Sequence, residues 1–463
     1  MKHFSLMILV GGLLVPQLAR AAAPLAKGPG MSPDSMTPAM APKVAPETLP
    51  NGVQFVTSLD RTSPRVAISL LIGAGAANEM PDSAGWRRLL VGALIRSAPE
   101  GYVEGTTDRE KSEALTRAAE QLGGEITVSV GDDVTEFSVA GESARGVDLL
   151  KLALALLQTP RLPDAALDKA RTTQIDRVGA EDLDVNNRIE AGVRSQIFRD
   201  KSGALIAYGL PDNGTAKSVA SLDNAKLRAL QAQLARAPLT VAAAGDADVA
   251  AMRALLETLP PRVELASAAP AFVAPKVGAP PLVVRELPTE NAYVFVSYTL
   301  PNFQSADAPA MRVLAAALSD SKSARLPARL SNNLVAKAPQ ADSVGAQWLP
   351  RRYASELLLT AQTDAQGVEG VKNVLLDEVR KLREAPLSPT ELQRAKAFAR
   401  GNWSLDRQGL RERAFLTGLP TATGLAPDAT FLARLDKVSA ADVQSVASRY
   451  LKPYAVALVM PKQ

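Results

Sequence analysis

The sequence predicts an α+β fold built from two homologous domains, each an antiparallel or mixed β-sheet packed with helices. Three observations support this prediction. Apolar β-branched segments alternate with amphipathic helical ones, blocks of the first half recur in the same order in the second half, and 47% hydrophobic with 22% charged residues is an ordinary globular composition. At 463 residues the chain is long enough for two large domains.

The N-terminus has the three marks of a secretory signal peptide. Lys2 and His3 form a short basic start, Phe4–Val15 is mostly apolar, and Ala19-Arg20-Ala21 is a small-x-small cleavage site. His3 is the only histidine, and cysteine is absent. The segment therefore predicts export to a bacterial periplasm and a mature chain without imidazole or thiol. No apolar run is long enough to predict a membrane span.

Two Ala- and Pro-rich stretches divide the remaining chain, because such compositions are typical of tethers and linkers. The repeat is seen where Gly146-Val147 matches Gly370-Val371 and where Leu222-Asp223 matches Leu435-Asp436. The predicted organisation is a signal peptide (1–21), a tether (22–48), an N-terminal domain (49–265), a linker (266–283) and a C-terminal domain (284–463).

In the first half, Val66–Ile72 is apolar and β-branched, which predicts a buried strand. A helix is predicted over residues 84–97, and a hairpin over 125–140 because two alternating runs flank Gly131-Asp132-Asp133. The apolar periodicity of Gly146–Gln158 predicts a helix that ends before Pro160, and Asp164 is the predicted N-cap of the next helix.

The second half repeats this order. Ala292–Leu300 alternates and predicts a strand, Ala308–Ser319 predicts a helix, and Ser388 is the predicted N-cap of a later helix. Each half ends in a helix followed by a strand, at Thr240–Ala244 and at Ala455–Val459.

This order of motifs resembles the M16 (pitrilysin/insulinase) metallopeptidase family in its short bacterial two-domain form. The resemblance covers nearly all of residues 48–463. It rests on LPNG at 49–52, LLIGAGAANEMPDSAGWRRLLVGAL at 70–94, the hairpin around Asp133, SARL at 323–326 and VSAADVQSVASRYLKP at 438–453.

Active members of that family carry His-x-x-Glu-His on the helix after the acidic loop, and the two histidines bind zinc. Here the matching positions are Arg88, Val91 and Gly92, and Asp176 is near the place of the distal zinc-binding Glu. An arginine side chain is cationic and has no lone pair for a metal. The sequence therefore predicts no catalytic residue, no metal site and no cofactor in this chain, with zinc only in an active partner subunit.

The resemblance also implies a place for substrate-gripping residues in the second half. Active relatives have an Arg and a Tyr there, but this chain has Ser331 at the place of the Arg and no following Tyr. Arg325 and Arg329 are the candidate peptide-binding residues, with exposed helix-surface arginines as the alternative interpretation.

Two further groups of charged residues have alternative interpretations. Asp132, Asp133 and Glu136 form either a carboxylate-only metal site or, as favoured here, a solvated hairpin turn. The pairs Arg87-Arg88 and Arg351-Arg352 are predicted on solvated surfaces.

The function predicted from these residues is a non-catalytic M16-like periplasmic subunit. It pairs with an active zinc homologue as a heterodimer and helps to enclose a chamber for unfolded peptide. One alternative is a hydrolase with a non-histidine site, for which Ser321-Lys322-Ser323 is the nearest pattern. The other is a homodimeric envelope scaffold. Nucleic acid is not a predicted partner, because no basic run with interleaved aromatics occurs.

Overall fold

The structure is a computed structural model of the full chain. It describes residues 46–102, 107, 109–110, 113–181, 183–264, 270–273, 281–284, 289–318, 329–330, 341–425 and 429–461. The predicted signal peptide, most of the predicted tether, Ser321-Lys322-Ser323 and Arg325 lie outside the described residues.

The first sheet has six strands in the order β1-β2-β6-β3-β5-β4. Strands β2 and β6 are parallel, whereas the other neighbours are antiparallel, so the sheet is mixed. Its strands are β1 (Glu47–Thr48), β2 (Gln54–Leu59), β3 (Arg65–Ile72), β4 (Gly124–Val130), β5 (Thr135–Glu142) and β6 (Leu239–Gly245).

The second sheet has five strands in the order β7-β11-β8-β10-β9, with one parallel pair between β7 and β11. Its strands are β7 (Leu282–Val284), β8 (Ala292–Leu300), β9 (Ser343–Leu349), β10 (Ser355–Thr363) and β11 (Ala455–Val459). Two mixed sheets with helices confirm the predicted α+β class. The predicted strands at residues 66–72, 292–300, 240–244 and 455–459 are all present, to within one residue at each end.

The described ranges contain fourteen α-helices, several of them amphipathic. They are α1 (Trp86–Leu94), α2 (Ala114–Gln121), α3 (Gly146–Gln158), α4 (Asp164–Glu181), α5 (Val185–Ile197), α6 (Ala216–Ala220), α7 (Asn224–Arg236), α8 (Val249–Glu257), α9 (Ala308–Leu318), α10 (Val368–Glu384), α11 (Pro389–Leu405), α12 (Leu410–Ala422), α13 (Phe431–Lys437) and α14 (Ala440–Tyr450). No helix in these ranges combines the length and apolarity needed to cross a bilayer.

One predicted helix cap is confirmed and one is wrong. The Ser388 side chain accepts from the backbone N–H of Glu391, whose carboxylate accepts from the Ser388 N–H, which is a capping box. Asp164 is instead the first residue of α4, and its carboxylate accepts from Asn224 and Arg228 of α7. An acid in the first helical turn still interacts favourably with the positive end of the helix dipole. The carboxylate of Asp164 does not cap α4, however, and instead stabilises the contact between α4 and α7.

Each sheet packs one face against helices of its own half. In the first half, Leu149, Leu152 and Leu156 of α3 are fully buried in the core that contains Ile68 and Phe137 of the sheet. In the second half, the corresponding core includes Val296 and Leu359 of the sheet together with helical residues such as Leu375 and Val443. Burial of these apolar side chains is the main stabilising contribution to each half.

The opposite face of each sheet is covered by a helix from the other half. Helix α5, from the first half, buries Ile189, Val193 and Ile197 against strand residues of the second sheet, among them Phe295 and Leu358. Helix α12, from the second half, packs on β2, β3 and β6 of the first sheet. No pattern in the sequence predicts this exchange. It joins the two halves into one packed body and places their hairpin turns against each other.

Candidate functional site

Helix α1 carries Arg88, Val91 and Gly92, the three positions that the resemblance matches to a zinc motif, and it begins at a glycine with an unusual backbone conformation. Gly85 has φ +84° at the N-cap position and offers no side chain to cap the helix. The buried carboxylate of Glu79 caps it instead, accepting from the backbone N–H of Gly85 and of Arg87 at 2.7 Å each. Burial raises the pKa of Glu79, while the hydrogen bond from Arg87 and the nearby guanidinium groups oppose this.

The three motif positions on α1 do not converge on a metal site. Arg88 Nη2 donates to Asp212 Oδ2 at 3.4 Å, and Val91 is buried. A Cβ at Gly92 would lie 3.6 Å from the Cβ of Ala170, an ordinary apolar contact. Asp176 is exposed on α4. Across the described ranges, no three His, Cys, Asp or Glu side chains are grouped so that they could hold a metal ion.

Arg88 is the outer end of a chain of alternating charges that runs between the two halves. We call it the ion-pair chain. Arg194 of α5 donates to Asp212 and to Asp132, at 3.4 Å each. Arg351 donates from Nε to Asp132 at 2.5 Å and from Nη1 to Glu356 at 2.8 Å. Its members, in order, are Arg88, Asp212, Arg194, Asp132, Arg351 and Glu356.

The inner end of the ion-pair chain is excluded from water. The Arg351 side chain is 6% exposed and that of Glu356 is 0% exposed. Ser297 Oγ donates to the second carboxylate oxygen of Glu356 at 2.6 Å. The guanidinium of Arg351 lies over the Tyr208 ring, 5.1 Å from its centroid, an arrangement that favours a cation. Such full pairing is required because an unpaired charge at this depth would be very costly.

A second set of hydrogen bonds joins the same two turns. Tyr208 Oη donates to Asp133 Oδ1 at 2.6 Å, and the backbone N–H of Arg352 donates to Asp133 Oδ2 at 2.8 Å. The backbone N–H of Tyr353 in turn donates to Tyr208 Oη at 3.0 Å. Burial raises the pKa of Asp133, and these hydrogen bonds to its charged form partly offset the effect.

The structure overturns two predictions made for these residues. The hairpin turn with Asp132 and Asp133 is not a solvated turn, because Asp133 is buried and Asp132 is paired with two arginines. The Arg87-Arg88 and Arg351-Arg352 pairs are not on solvated surfaces either, since Arg351 is buried and the side chains of Arg87 and Arg88 are only 14% and 20% exposed.

These contacts have a simple origin in the repeat. The acidic turn lies between β4 and β5, and the basic turn lies between β9 and β10, which are the corresponding hairpins of the two halves. The two turns meet with opposite charge. Asp132 and Arg351 each lie two residues after the first strand of their hairpin, which ends at Val130 and at Leu349, so the two charged pairs occupy equivalent places.

The ion-pair chain predicts a pH dependence of stability. Burial alone would raise the pKa of Asp132, but Arg351 and Arg194 lower it to about 2 from 3.8. A depressed carboxyl pKa stabilises the folded state at pH values above the unfolded pKa, and the contribution is lost as pH falls toward the folded pKa. We expect the free energy of unfolding of wild type to exceed that of Asp132→Asn by at least about 2 kcal/mol at neutral pH.

This difference is expected to decline between about pH 4 and pH 2. Urea titrations of both proteins at several pH values measure it. Comparing the two proteins cancels the contribution of Glu79, whose pKa shifts in the opposite direction and does not depend on Asp132. If the difference in the free energy of unfolding stayed constant down to pH 2, the pKa of Asp132 would not be lowered by its arginine partners.

The candidate peptide-binding residues of the second half lie elsewhere. Arg329 donates from Nε to Glu391 Oε1 at 3.0 Å and lies 3.9 Å from Glu378, so it is engaged within the fold. Its partner Glu391 is also the capping-box residue of α11. Arg325 and Ser331 lie outside the described residues.

The charged groups near α1 are engaged in ion pairs. Arginine cannot act as a general base at ordinary pH, and Asp132, Asp212 and Glu356 are each bound to guanidinium groups. These groups connect the motif helix to the second half.

Comparison with known proteins confirms the resemblance to M16 peptidases. Residues 225–398 match the family model of the Peptidase M16 inactive domain, which spans a little over a third of the chain. No curated protein sequence matches the chain.

Solved structures share the fold over almost the whole length. A protease from Helicobacter pylori has a TM-score of 0.78 and 17% identity, covering 91% of this chain and 100% of its own. The peptidase M16 inactive domain from Pseudomonas fluorescens has a TM-score of 0.74 and 16% identity, covering 91% of this chain and 99% of its own. A chain of Complex III2 from Candida albicans has a TM-score of 0.70 and 16% identity, covering 90% and 96%.

Proposed function

We propose that this protein is a non-catalytic, M16-like subunit of the bacterial periplasm. It pairs with an active zinc-bearing homologue and helps to form a chamber that holds unfolded peptide. The observation that carries the proposal concerns helix α1. At the places where the resemblance implies zinc ligands and a catalytic Glu, it bears Arg88, Val91 and Gly92, and Arg88 is bound to Asp212.

Two further observations support it. Residues 225–398 match a family described as the inactive domain of these peptidases, and a chain of the same fold is part of Complex III2 of Candida albicans. The ion-pair chain and the exchanged helices α5 and α12 also fix the two halves of the chain against each other, as a subunit of an assembly requires.

The test is co-expression of the mature chain with an M16 homologue of the same bacterium that retains His-x-x-Glu-His. We expect native mass spectrometry to find a complex of the two chains, with zinc bound only to the homologue. The isolated chain is expected to lack stoichiometric zinc and to leave an unfolded protein substrate uncut.

Two results would overturn the proposal. Chelator-sensitive cleavage by the purified chain alone would assign it an active site of its own. A stable homodimer that takes up neither the homologue nor peptide would assign it a scaffold role.

A further inference from the structure

A large open groove lies at one end of the first sheet. Its volume is about 1340 Å³, and we call it the sheet-end groove. Strands β2 and β6 begin in its floor at Gln54 and Leu239, and β3 ends there just before Gly73. Its walls are the last turns of α7 and of the exchanged helix α12, so both halves of the chain form it.

A close backbone contact positions one of these walls. A Cβ at Gly73 would lie 2.1 Å from the carbonyl oxygen of Ala422 at the end of α12, and only glycine permits that approach. Thr421, on the same turn, lines the groove, and its buried Oγ1 has no hydrogen-bond partner among the described residues. A buried hydroxyl of this kind can donate to or accept from a bound backbone amide.

The charge of the groove is mainly positive. Three arginines line it, and Glu264 is the only acidic residue among its described lining residues. Arg236 is exposed in the last turn of α7, with no ion pair to any described side chain. Arg352 Nη1 donates to the carbonyl of Gly73 at 3.3 Å. Arg87 contacts Glu79 through Nη1, but its buried Nε has no hydrogen-bond partner in the described part of the chain.

We propose that the sheet-end groove binds acidic segments of extended peptide through Arg87, Arg236 and Arg352. This inference rests on the proposed function and names its substrate class. The volume exceeds that of ordinary small-molecule pockets and suits several residues of chain. Guanidinium groups bind carboxylates through paired, charge-assisted hydrogen bonds, which neutral or basic peptides cannot offer.

The most direct test of the groove is Arg236→Glu. This side chain is exposed, so its replacement leaves no buried group without a partner. Lys217→Glu is the matched control: Lys217 is also exposed in the last turn of a helix, it is not a lining residue, and the net charge changes equally. Thermal unfolding of both variants verifies that they remain folded.

The experiment measures fluorescence anisotropy of labelled unstructured peptides with the mature full-length chain. Acidic, neutral and basic peptides of equal length are compared at low and high salt. We expect the acidic peptide to bind at least about tenfold more tightly than the basic one, with the preference reduced by salt. Arg236→Glu is expected to remove that preference, and Lys217→Glu to retain it.

The outcomes separate this inference from the proposed function. Equal binding of all three peptides would overturn the inference and leave peptide binding intact. Absence of binding by any peptide would contradict the peptide role in the proposed function as well. A preference for acidic peptide that Arg236→Glu leaves unchanged would place the site outside the sheet-end groove.

Discussion

Replacing Arg351 with methionine is expected to destabilise the protein by about 3–5 kcal/mol, since it leaves two carboxylates without their main partner. Glu356 is fully buried, so it would either stay charged at great cost or bind a proton and weaken its hydrogen bond from Ser297. Asp132 would keep only Arg194. Chemical denaturation followed by circular dichroism measures the loss.

The geometry offers two controls for this result. Arg380→Met removes an arginine that also contacts two carboxylates, but on the exposed surface of α10, and we expect no measurable change. The triple change Arg351→Met, Asp132→Asn and Glu356→Gln removes the stranded charges and is expected to recover part of the lost stability. If Arg351→Met were as neutral as Arg380→Met, the ion-pair chain would not hold the two halves together.

The ion-pair chain shows what Arg88 contacts at the place where the resemblance implies a histidine. Arg88 does not merely lack the lone pair of a histidine; its guanidinium pairs with Asp212, which also pairs with Arg194. A catalytic zinc site needs an open position for water and substrate. Here the same helix carries Arg88, whose ion pair with Asp212 belongs to the contact between the two halves.

Local elements were predictable from sequence because local rules determine them. The helix Gly146–Gln158 and the strands Ala292–Leu300 and Ala455–Val459 have the predicted bounds. In each of them the apolar period or the alternation matches the element over its full length, and a turn or proline marks its end. The predicted helix over 84–97 is shorter and begins at Trp86, because Gly85 has a left-handed backbone and Glu79 of the preceding loop caps the start in place of the N-cap residue.

The packing partner of an apolar face was not predictable by the same means. Helix α5 has the apolar periodicity of any half-buried helix. The identities of Ile189 and Val193 do not indicate which of the two sheets they contact. The pairing of Asp132 depends on the same exchange, because its partner Arg194 lies on α5. A charged turn considered alone is usually solvated. These two turns are complementary only because the fold places the hairpin of one half against the hairpin of the other.

The exchanged helix α12 gives the second large expected effect. Gly418 faces the first sheet, where a Cβ would lie 2.8 Å from both the Ala242 Cβ and Leu71 Cδ1. Both neighbours are fully buried and cannot move into solvent. Gly418→Leu is therefore expected to destabilise the protein by about 1–3 kcal/mol through overpacking. Urea denaturation measures the loss, and faster amide exchange in α12 locates it.

Gly401 provides the matched control on the neighbouring helix α11. It lies inside a helix like Gly418, but a Cβ there has no heavy atom within 4 Å. Gly401→Leu is expected to leave stability unchanged or to raise it by up to about 1 kcal/mol, since leucine favours helix more than glycine does. Equal effects of the two substitutions would mean that α12 does not pack on the first sheet and that the halves exchange no helix. A loss confined to Gly418→Leu, together with faster exchange in strands β3 and β6, would show that a residue of the second half stabilises the sheet of the first.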